Sequence, residues 1–185
     1  MPATVLRFWF GDEPLAVRGE WFRKDPAFDQ DIRERFGALV ERALAGPLGW
    51  DADPASRLAE VIVLDQFPRN LFREQARAFA GDARARTIAL SLIDAGDDAR
   101  LHPLQRWFAY LPLEHAEDLA LQHRSVALFE ALAREDPSMA GALDYAERHR
   151  DVIRRFGRFP HRNRALGRES TAAELGYLAQ PGSGF

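Results

Sequence analysis

The 185-residue chain contains no cysteine, which excludes disulfide bonds and thiolate metal sites. It also lacks a long apolar run: its longest aliphatic stretch, VIVL at 61–64, is far shorter than the ~20 residues that a membrane span needs. The N-terminal MPATVLRFWF has no basic segment of the kind that begins a signal peptide. These absences predict a cytoplasmic protein that does not enter a membrane.

Lysine is nearly absent as well: of the 25 Lys and Arg side chains, all but Lys24 are arginines. The arginines are unevenly placed. Residues 145–185 carry eight arginines and four acidic side chains, a net charge of +4, within a chain whose total is −3. Arginine suits bidentate contact with carboxylate or phosphate groups. The C-terminal arginines therefore indicate a place to look for anion binding.

The periodicity of apolar residues is helical along almost the whole chain, and no segment alternates as a strand. Asp-Pro pairs at 25–26 and 53–54 are typical helix starts. Short connections favour antiparallel helical hairpins in one compact all-α domain over residues 1–185, with a loose tail at 180–185. The predicted helices run from Pro26 to Gly46, from Pro54 to about Gln66, from Asp82 to Gly96, from Pro103 over a short stretch, from Glu117 to Ala133, from Ser138 to Phe156, and after Thr171, which forms a capping box with Glu174.

The stretch VIVLDQFPRN at 61–70 places Asp65 directly after four aliphatic residues. A carboxylate close to the interior and at a helix C-terminus needs a cationic partner. We expect Pro68 to end the helix and to disturb the i,i+4 geometry between Asp65 and Arg69. An arginine from elsewhere is then at least as plausible a partner.

A second helix break, RFPHRN at 158–163, repeats this pattern. Pro160 should force Phe159 out of the helical region, so that Phe159 turns into the core. Two further histidines need an explanation. His149 lies on an apolar helix face, and His115 lies among Glu114, Glu117 and Asp118, acids that suit the start of the long helix.

We expect the two breaks to meet and to form one polar pocket that binds a small anionic molecule, a carboxylate or a phosphate. If the protein is an enzyme, His161 or His115 is the candidate general acid–base group. No nucleophile, phosphate-loop, dinucleotide or metal-ligand spacing is present, so neither a cofactor nor a metal is predicted. The predicted ligand-binding residues are Asp65, Arg69, Asn70, His115, His149, Arg158, His161, Arg162, Asn163 and Arg168.

Other interpretations remain open at this stage. Asp65 and an arginine can form a purely structural ion pair, and His149 can be a hydrogen-bonded core histidine. The arginines at 148–168 can form a solvated face. Stacked helical hairpins can also act as a scaffold that binds an acidic peptide without catalysis. The acidic chain argues against nucleic acid as a partner.

Three long segments resemble the bacterial domain-of-unknown-function 924 family: VIVLDQFPRNLFR, FAYLPLEHAEDLALQHRSVALF and HRDVIRRFGRFPHRNRALGRESTAAELGYL. LRFWFG and the segment from Trp21 to Trp50 are similar to it too, so the resemblance covers nearly the whole chain. It implies a tetratricopeptide-like all-helical fold and no established activity. Besides the predicted site residues, it marks Gln66, Phe67, Pro68, Gln122, Phe159, Gly167, Ser170 and Thr171 as motif positions.

Overall fold

A computed structural model describes residues 1–184 and confirms the all-α class, with no strand in that range. No helix within it is long and apolar enough to cross a membrane. Of the predicted tail at 180–185, only Phe185 lies outside the described residues. The α-helices are α1 (Pro2–Phe10), α2 (Pro26–Ala45), α3 (Pro54–Val61), α4 (Phe67–Leu71), α5 (Asp82–Asp94), α6 (Pro103–Glu114), α7 (Leu119–Glu135), α8 (Ala140–Phe156) and α9 (Ala172–Leu178).

The helix starts follow local sequence signals. Asp25 caps α2 by accepting hydrogen bonds from the backbone N–H groups of Ala27 and Phe28 at 3.0 and 3.1 Å. Asp53 caps α3 in the same way, and Thr171 and Glu174 form the predicted capping box of α9. A side-chain cap supplies an acceptor to backbone donors that have no partner inside the helix. Short-range sequence patterns are therefore sufficient to predict where α2, α3 and α9 begin.

The core is rich in stacked and edge-on aromatic rings. Phe67 is fully buried, with its ring centroid 5.1 Å from that of Phe36 and 5.7 Å from that of Trp9. α1 packs against α3, and α2 packs against α4, while α7 contacts both α6 and α8. Phe67 therefore anchors α4 in the core, and this contact fixes the positions of Asp65 before it and Arg69 after it.

The first Phe-Pro pair does not end a helix, contrary to the prediction. Ile62–Gln66 forms one turn of π-helix that leads straight into α4, with the N–H of Phe67 bonded to the carbonyl of Ile62. Pro68 then falls in the first turn of α4, where its missing N–H costs no helical hydrogen bond. The chain thus stays helical, and Arg69 lies about one turn beyond Asp65.

The second break follows the prediction more closely. α8 ends at Gly157, which has a left-handed φ of 69°, two residues before Phe159. Phe159 itself is extended, with φ −89° and ψ 106°, and is fully buried. Pro160–Arg162 forms a single 3₁₀ turn that carries His161 and Arg162. Proline at 160 thus turns Phe159 inward, as expected.

His115 does not start the long helix. α6 continues through Pro112 to Glu114, and His115 is the residue that ends it. The following helix, α7, is capped by Asp118, which accepts from the N–H of Leu121 at 3.0 Å. A proline inside a helix loses one hydrogen bond and crowds the carbonyl one turn earlier, so α6 depends at Pro112 on the burial of the apolar residues around it.

Close backbone packing sets the start of α5. A side-chain Cβ at Gly81 would overlap the carbonyl oxygen of Leu64 in the π-helical turn, so only glycine fits there. The first residue of α5, Asp82, is thereby held beside the segment that carries Asp65 and Arg69. The tetratricopeptide-like arrangement of the hairpins stays a prediction.

Candidate functional site

The two proline-containing segments meet at Asp82. Arg69 donates from Nη1 and Nη2 to the two carboxylate oxygens of Asp82, at 2.8 and 3.0 Å. Arg162 donates to one of the same oxygens from 80 residues further along the chain, at 3.4 Å. We call Asp65, Arg69, Asp82, His115, His161 and Arg162 the polar cluster.

Asp65 is the buried end of the polar cluster, with no solvent exposure. It accepts hydrogen bonds from Nδ1 of His115 at 2.8 Å and from Nε2 of Gln66 at 2.5 Å, and Nη1 of Arg69 lies 3.3 Å away. Burial raises the pKa of Asp65, but the charge of Arg69 and the contact with His115 outweigh burial and hold that pKa well below its usual range. Arg69 is therefore a direct partner of Asp65, although Pro68 was expected to disturb the i,i+4 geometry between them.

His115 is held in one tautomer. The carboxylate of Asp65 can only accept, so Nδ1 of His115 carries the hydrogen. Within residues 1–184, Nε2 of His115 makes no hydrogen bond, and the side chain keeps 14% of its exposure. Burial and the charge of Arg69 lower the pKa of His115, despite the opposing effect of Asp65. His115 is therefore neutral at pH 7 and presents a free lone pair on Nε2.

Arg162 is the least satisfied charge of the polar cluster. Its side chain is only 7% exposed, and its guanidinium lies between the rings of Phe79 and Phe159, at 4.7 and 4.5 Å from their centroids. Within residues 1–184, the one hydrogen bond of its side chain is the long contact with Asp82, and its Nε is buried without a partner. Burial, followed by the charge of Arg69, lowers the pKa of Arg162 to about 10.

His161 lies next to Arg162 on the 3₁₀ turn and is half-buried. Its ring centroid is 5.5 Å from that of Phe159. Burial and the charge of Arg162 lower the pKa of His161 to about 4. Both histidines of the polar cluster are therefore uncharged at neutral pH, and its positive charge comes from Arg69 and Arg162 alone.

His149 and Glu114 form a second buried polar pair. His149 is 4% exposed, and its Nδ1 contacts the carbonyl of Tyr145 at 2.8 Å and Oε1 of Glu114 at 3.1 Å. Burial, and to a smaller extent the charge of Asp65, raises the pKa of Glu114 to about 8. Burial lowers the pKa of His149 well below its usual value. Both groups are therefore uncharged in the folded protein at pH 7.

Glu114 predicts a pH dependence of stability. Between about pH 5 and pH 8 the folded carboxyl stays protonated while the unfolded one, with its ordinary pKa of 4.5, ionises. The unfolded state thus releases a proton, and stability falls as pH rises, by up to about 1.4 kcal/mol per unit. The lowered pKa values of His115, His149 and His161 act oppositely, but only below about pH 6.5.

The measurement is urea unfolding at pH 6.5 and pH 8 for the wild type and for Glu114→Gln. We expect the free energy of unfolding to fall by about 1–2 kcal/mol more in the wild type than in the variant between these two pH values. Glutamine keeps the size of the side chain and an oxygen for His149, but it cannot ionise. Equal losses in the two proteins would show that Glu114 does not carry this proton.

Four other predicted site residues are bound elsewhere. Arg158 makes a bidentate pair with Glu174 at 2.6 and 2.8 Å, and Arg168 makes one with Glu117 at 2.7 and 2.9 Å. The remaining two residues also have local partners: Asn163 contacts Ser170 and Arg168, and Asn70 donates to Asp29. The side-chain hydrogen bonds of these four residues therefore go to groups outside the polar cluster.

Two surface depressions lie away from the polar cluster. One, of about 390 Å³, is lined by Arg7, Phe8, Arg18 and Arg35 among others. The second, of about 280 Å³, is lined by Asn70, Arg73 and neighbouring residues of α2. Neither is lined by His115, His161 or Arg162. The polar cluster is a half-buried junction that belongs to neither depression.

Sequence reasoning missed two carboxyl groups. Asp82 was recognised only as a helix start, although it joins Arg69 to Arg162. Glu114, predicted to be an acid at a helix start, is instead buried against His149. The only signal for Asp82 was an acid directly after Gly81, which also fits a simple helix N-terminus. Among residues 1–184, no group of three potential ligands is arranged to hold a metal ion.

Comparison with known proteins defines the class of this all-helical protein. The chain belongs to the family described as "Bacterial protein of unknown function (DUF924)", which matches residues 5–182. A solved structure of a protein of unknown function from Agrobacterium tumefaciens is 41% identical, covers 96% of each chain and superimposes with a TM-score of 0.83. No curated protein matches. The resemblance seen in the sequence is confirmed, and the family has no established activity.

Proposed function

We propose that the polar cluster binds a small anionic molecule that carries a phosphate or carboxylate group, with Arg162 as the principal donor. The observation that carries the proposal is the state of Arg162. This guanidinium is almost fully buried, yet it makes one long hydrogen bond to Asp82 and leaves Nε without a partner. Buried polar groups in folded proteins are nearly always paired, so this one calls for a ligand.

An anion would supply what Arg162 lacks. A guanidinium offers five donors in a plane, and hydrogen bonds between charged groups stabilise by about 1.5–3 kcal/mol each. The lowered pKa of Arg162 has the same origin, because its burial and the charge of Arg69 are not balanced by nearby carboxylates. Bidentate contact with a carboxylate or phosphate is the geometry for which arginine is best suited.

Asp82 does not compete strongly for Arg162. Its two oxygens already accept from Arg69 at 2.8 and 3.0 Å, while the contact with Arg162 is 3.4 Å. Arg162 can therefore turn toward a ligand while Asp82 stays paired. Since only 7% of the Arg162 side chain is exposed, a compact anion fits this position better than a peptide segment does.

The test is thermal unfolding in increasing sodium phosphate, with sodium chloride adjusted to hold the ionic strength constant. A ligand that binds only the folded state raises the melting temperature, and a hundredfold excess over Kd stabilises by about 2.7 kcal/mol. Constant ionic strength removes general screening of surface charges. Identical melting temperatures in phosphate and in chloride would overturn the proposal.

Arg73→Met is the matched control. Arg73 makes a bidentate pair with Asp29 and lines the depression at Asn70, away from the polar cluster. We expect this variant to show the same increase in melting temperature with phosphate as the wild type. Loss of the increase in Arg73→Met would place the anion in that depression and would contradict the assignment to Arg162.

A further inference from the structure

We infer that the anion bound by the polar cluster carries its own hydrogen, as hydrogen phosphate and the monoanion of a phosphate monoester do, and donates it to Nε2 of His115. The inference rests on the proposed function, since it names the chemical class of the ligand that Arg162 would hold. Sulfate and carboxylates are excluded by this chemistry, because they carry no hydrogen at neutral pH.

The first step is the tautomer of His115. Asp65 is fully buried and is held by Gln66 as well as by His115, so it cannot turn away. An ionised carboxylate only accepts, which places the hydrogen of the neutral imidazole on Nδ1. Nε2 is then an acceptor without a hydrogen. The lowered pKa of His115 agrees with the neutral ring, because burial and the charge of Arg69 disfavour a second proton.

The second step is the position of this acceptor. The two nitrogens of an imidazole point to different sides of the ring, so Nε2 faces away from Asp65. It makes no hydrogen bond to any residue in the range 1–184, and the side chain is 14% exposed. Nδ1 of His115 and Nη1 of Arg69 both lie against Oδ1 of Asp65, at 2.8 and 3.3 Å. Arg69 in turn shares Asp82 with Arg162. The ring therefore lies in the same cluster as the two guanidinium groups. A ligand held by Arg162 therefore meets a bare lone pair at this ring.

The third step is discrimination. An anion without a hydrogen would bring an oxygen lone pair against the lone pair of Nε2 and would leave that acceptor unpaired. A site that accepts a hydrogen bond from its ligand strongly rejects an analogue that lacks the hydrogen. Sulfate has the shape of phosphate, so shape and charge do not separate the two. We expect the wild type to bind phosphate at least about tenfold more tightly than sulfate.

The experiment is isothermal titration calorimetry at about pH 8 with sodium phosphate and with sodium sulfate, at equal ionic strength. At this pH phosphate is mainly hydrogen phosphate, which has the same double charge as sulfate, and His115, whose pKa is lowered from 6.5, is neutral. The variant is His115→Asn, whose amide nitrogen can take the place of Nδ1 and keep the hydrogen bond to Asp65 while Nε2 is removed. We expect this variant to bind phosphate and sulfate with affinities within about threefold of each other, because the acceptor responsible for the difference is gone.

The outcomes separate the inference from the proposed function. If the wild type binds neither anion, both fail. If it binds phosphate and sulfate equally, the proposed function stands and this inference is overturned. A preference for phosphate that survives in His115→Asn also overturns it, since another group must then accept the hydrogen.

A second measurement covers the case in which His115→Asn does not fold. The ¹⁵N spectrum of the wild-type histidine side chains reports whether Nε2 of His115 is a bare lone pair or an acceptor. Phosphate should shift this resonance in the direction of a hydrogen-bonded nitrogen, and sulfate should leave it in place. Equal shifts with both anions would contradict the inference.

Discussion

Replacing Asp65 with alanine is expected to lower the free energy of unfolding by about 3–5 kcal/mol at pH 7. This is the largest loss that we expect from a single change in the polar cluster. Asp65 is fully buried, and its carboxylate accepts from His115 and Gln66 while it faces Arg69. Denaturant unfolding measures the loss directly from the shift of the midpoint.

The cost arises from the groups that would be left behind. Without the carboxylate, Nδ1 of His115 and Nε2 of Gln66 would lose their acceptor in a region with little water. Arg69 would keep Asp82 but would lose Asp65, the more deeply buried of its two carboxylate partners. Removing one member of a buried charge network leaves uncompensated polar groups, and this explains why such changes cost more than the pair itself contributes.

Glu41→Ala is the matched control, because Glu41 also pairs with an arginine but at the surface. Its partner is Arg77, and the two side chains are 57% and 50% exposed. We expect a change of no more than about 1 kcal/mol for this variant. If Asp65→Ala were as mild as Glu41→Ala, the buried network around Asp65 would not be structural.

Arg162→Met is expected to affect binding and not stability. Its affinity for phosphate should fall about 100-fold, while its free energy of unfolding should stay within about 1 kcal/mol of the wild-type value. The affinity estimate corresponds to the loss of two charge-assisted hydrogen bonds to the anion. Calorimetry gives the affinity, and urea unfolding in chloride buffer gives the stability.

Stability is expected to survive because Arg162 is under-compensated in the unliganded protein. Asp82 keeps both hydrogen bonds from Arg69 when Arg162 is removed. Methionine fills the space between Phe79 and Phe159, where sulfur–ring contacts replace the cation–π contacts of the guanidinium. The change therefore leaves no buried carboxylate without a partner, which is what makes the removal of one member of a buried pair costly.

Arg168→Met is the complementary control. Arg168 is held by Glu117, by Asn163 and by the carbonyl of Phe159, so its donors are used within the protein. We expect this variant to lose stability and to keep its affinity for phosphate. A destabilised Arg162→Met with unchanged affinity would assign Arg162 to the structure alone and would contradict the proposed site.

Local patterns in the sequence were sufficient for most of the helices. The caps at Asp25 and Asp53 and the capping box of Thr171 lie within four residues of the helices that they start, so the sequence around them is enough. The burial of Asp65 was also predictable, because four aliphatic residues precede it. Phe159 turned inward as the following proline required.

The remaining features depend on contacts between distant parts of the chain. Pro68 was expected to end a helix, but a π-helical turn before it carries the chain on into α4, and no local pattern identifies that turn. Asp82 lies 13 residues from Arg69 and 80 from Arg162, so its bridging position comes from the packing of α5 against Leu64. The burial of Glu114 likewise requires α6 to run past Pro112.

A crystal structure of the protein grown in phosphate is the most direct test of the claim that two distant proline-containing segments build one anion site. We expect a tetrahedral density bound to the guanidinium of Arg162, next to His115. Phosphate bound instead in the depression lined by Arg7, Arg18 and Arg35, with the polar cluster empty, would contradict it.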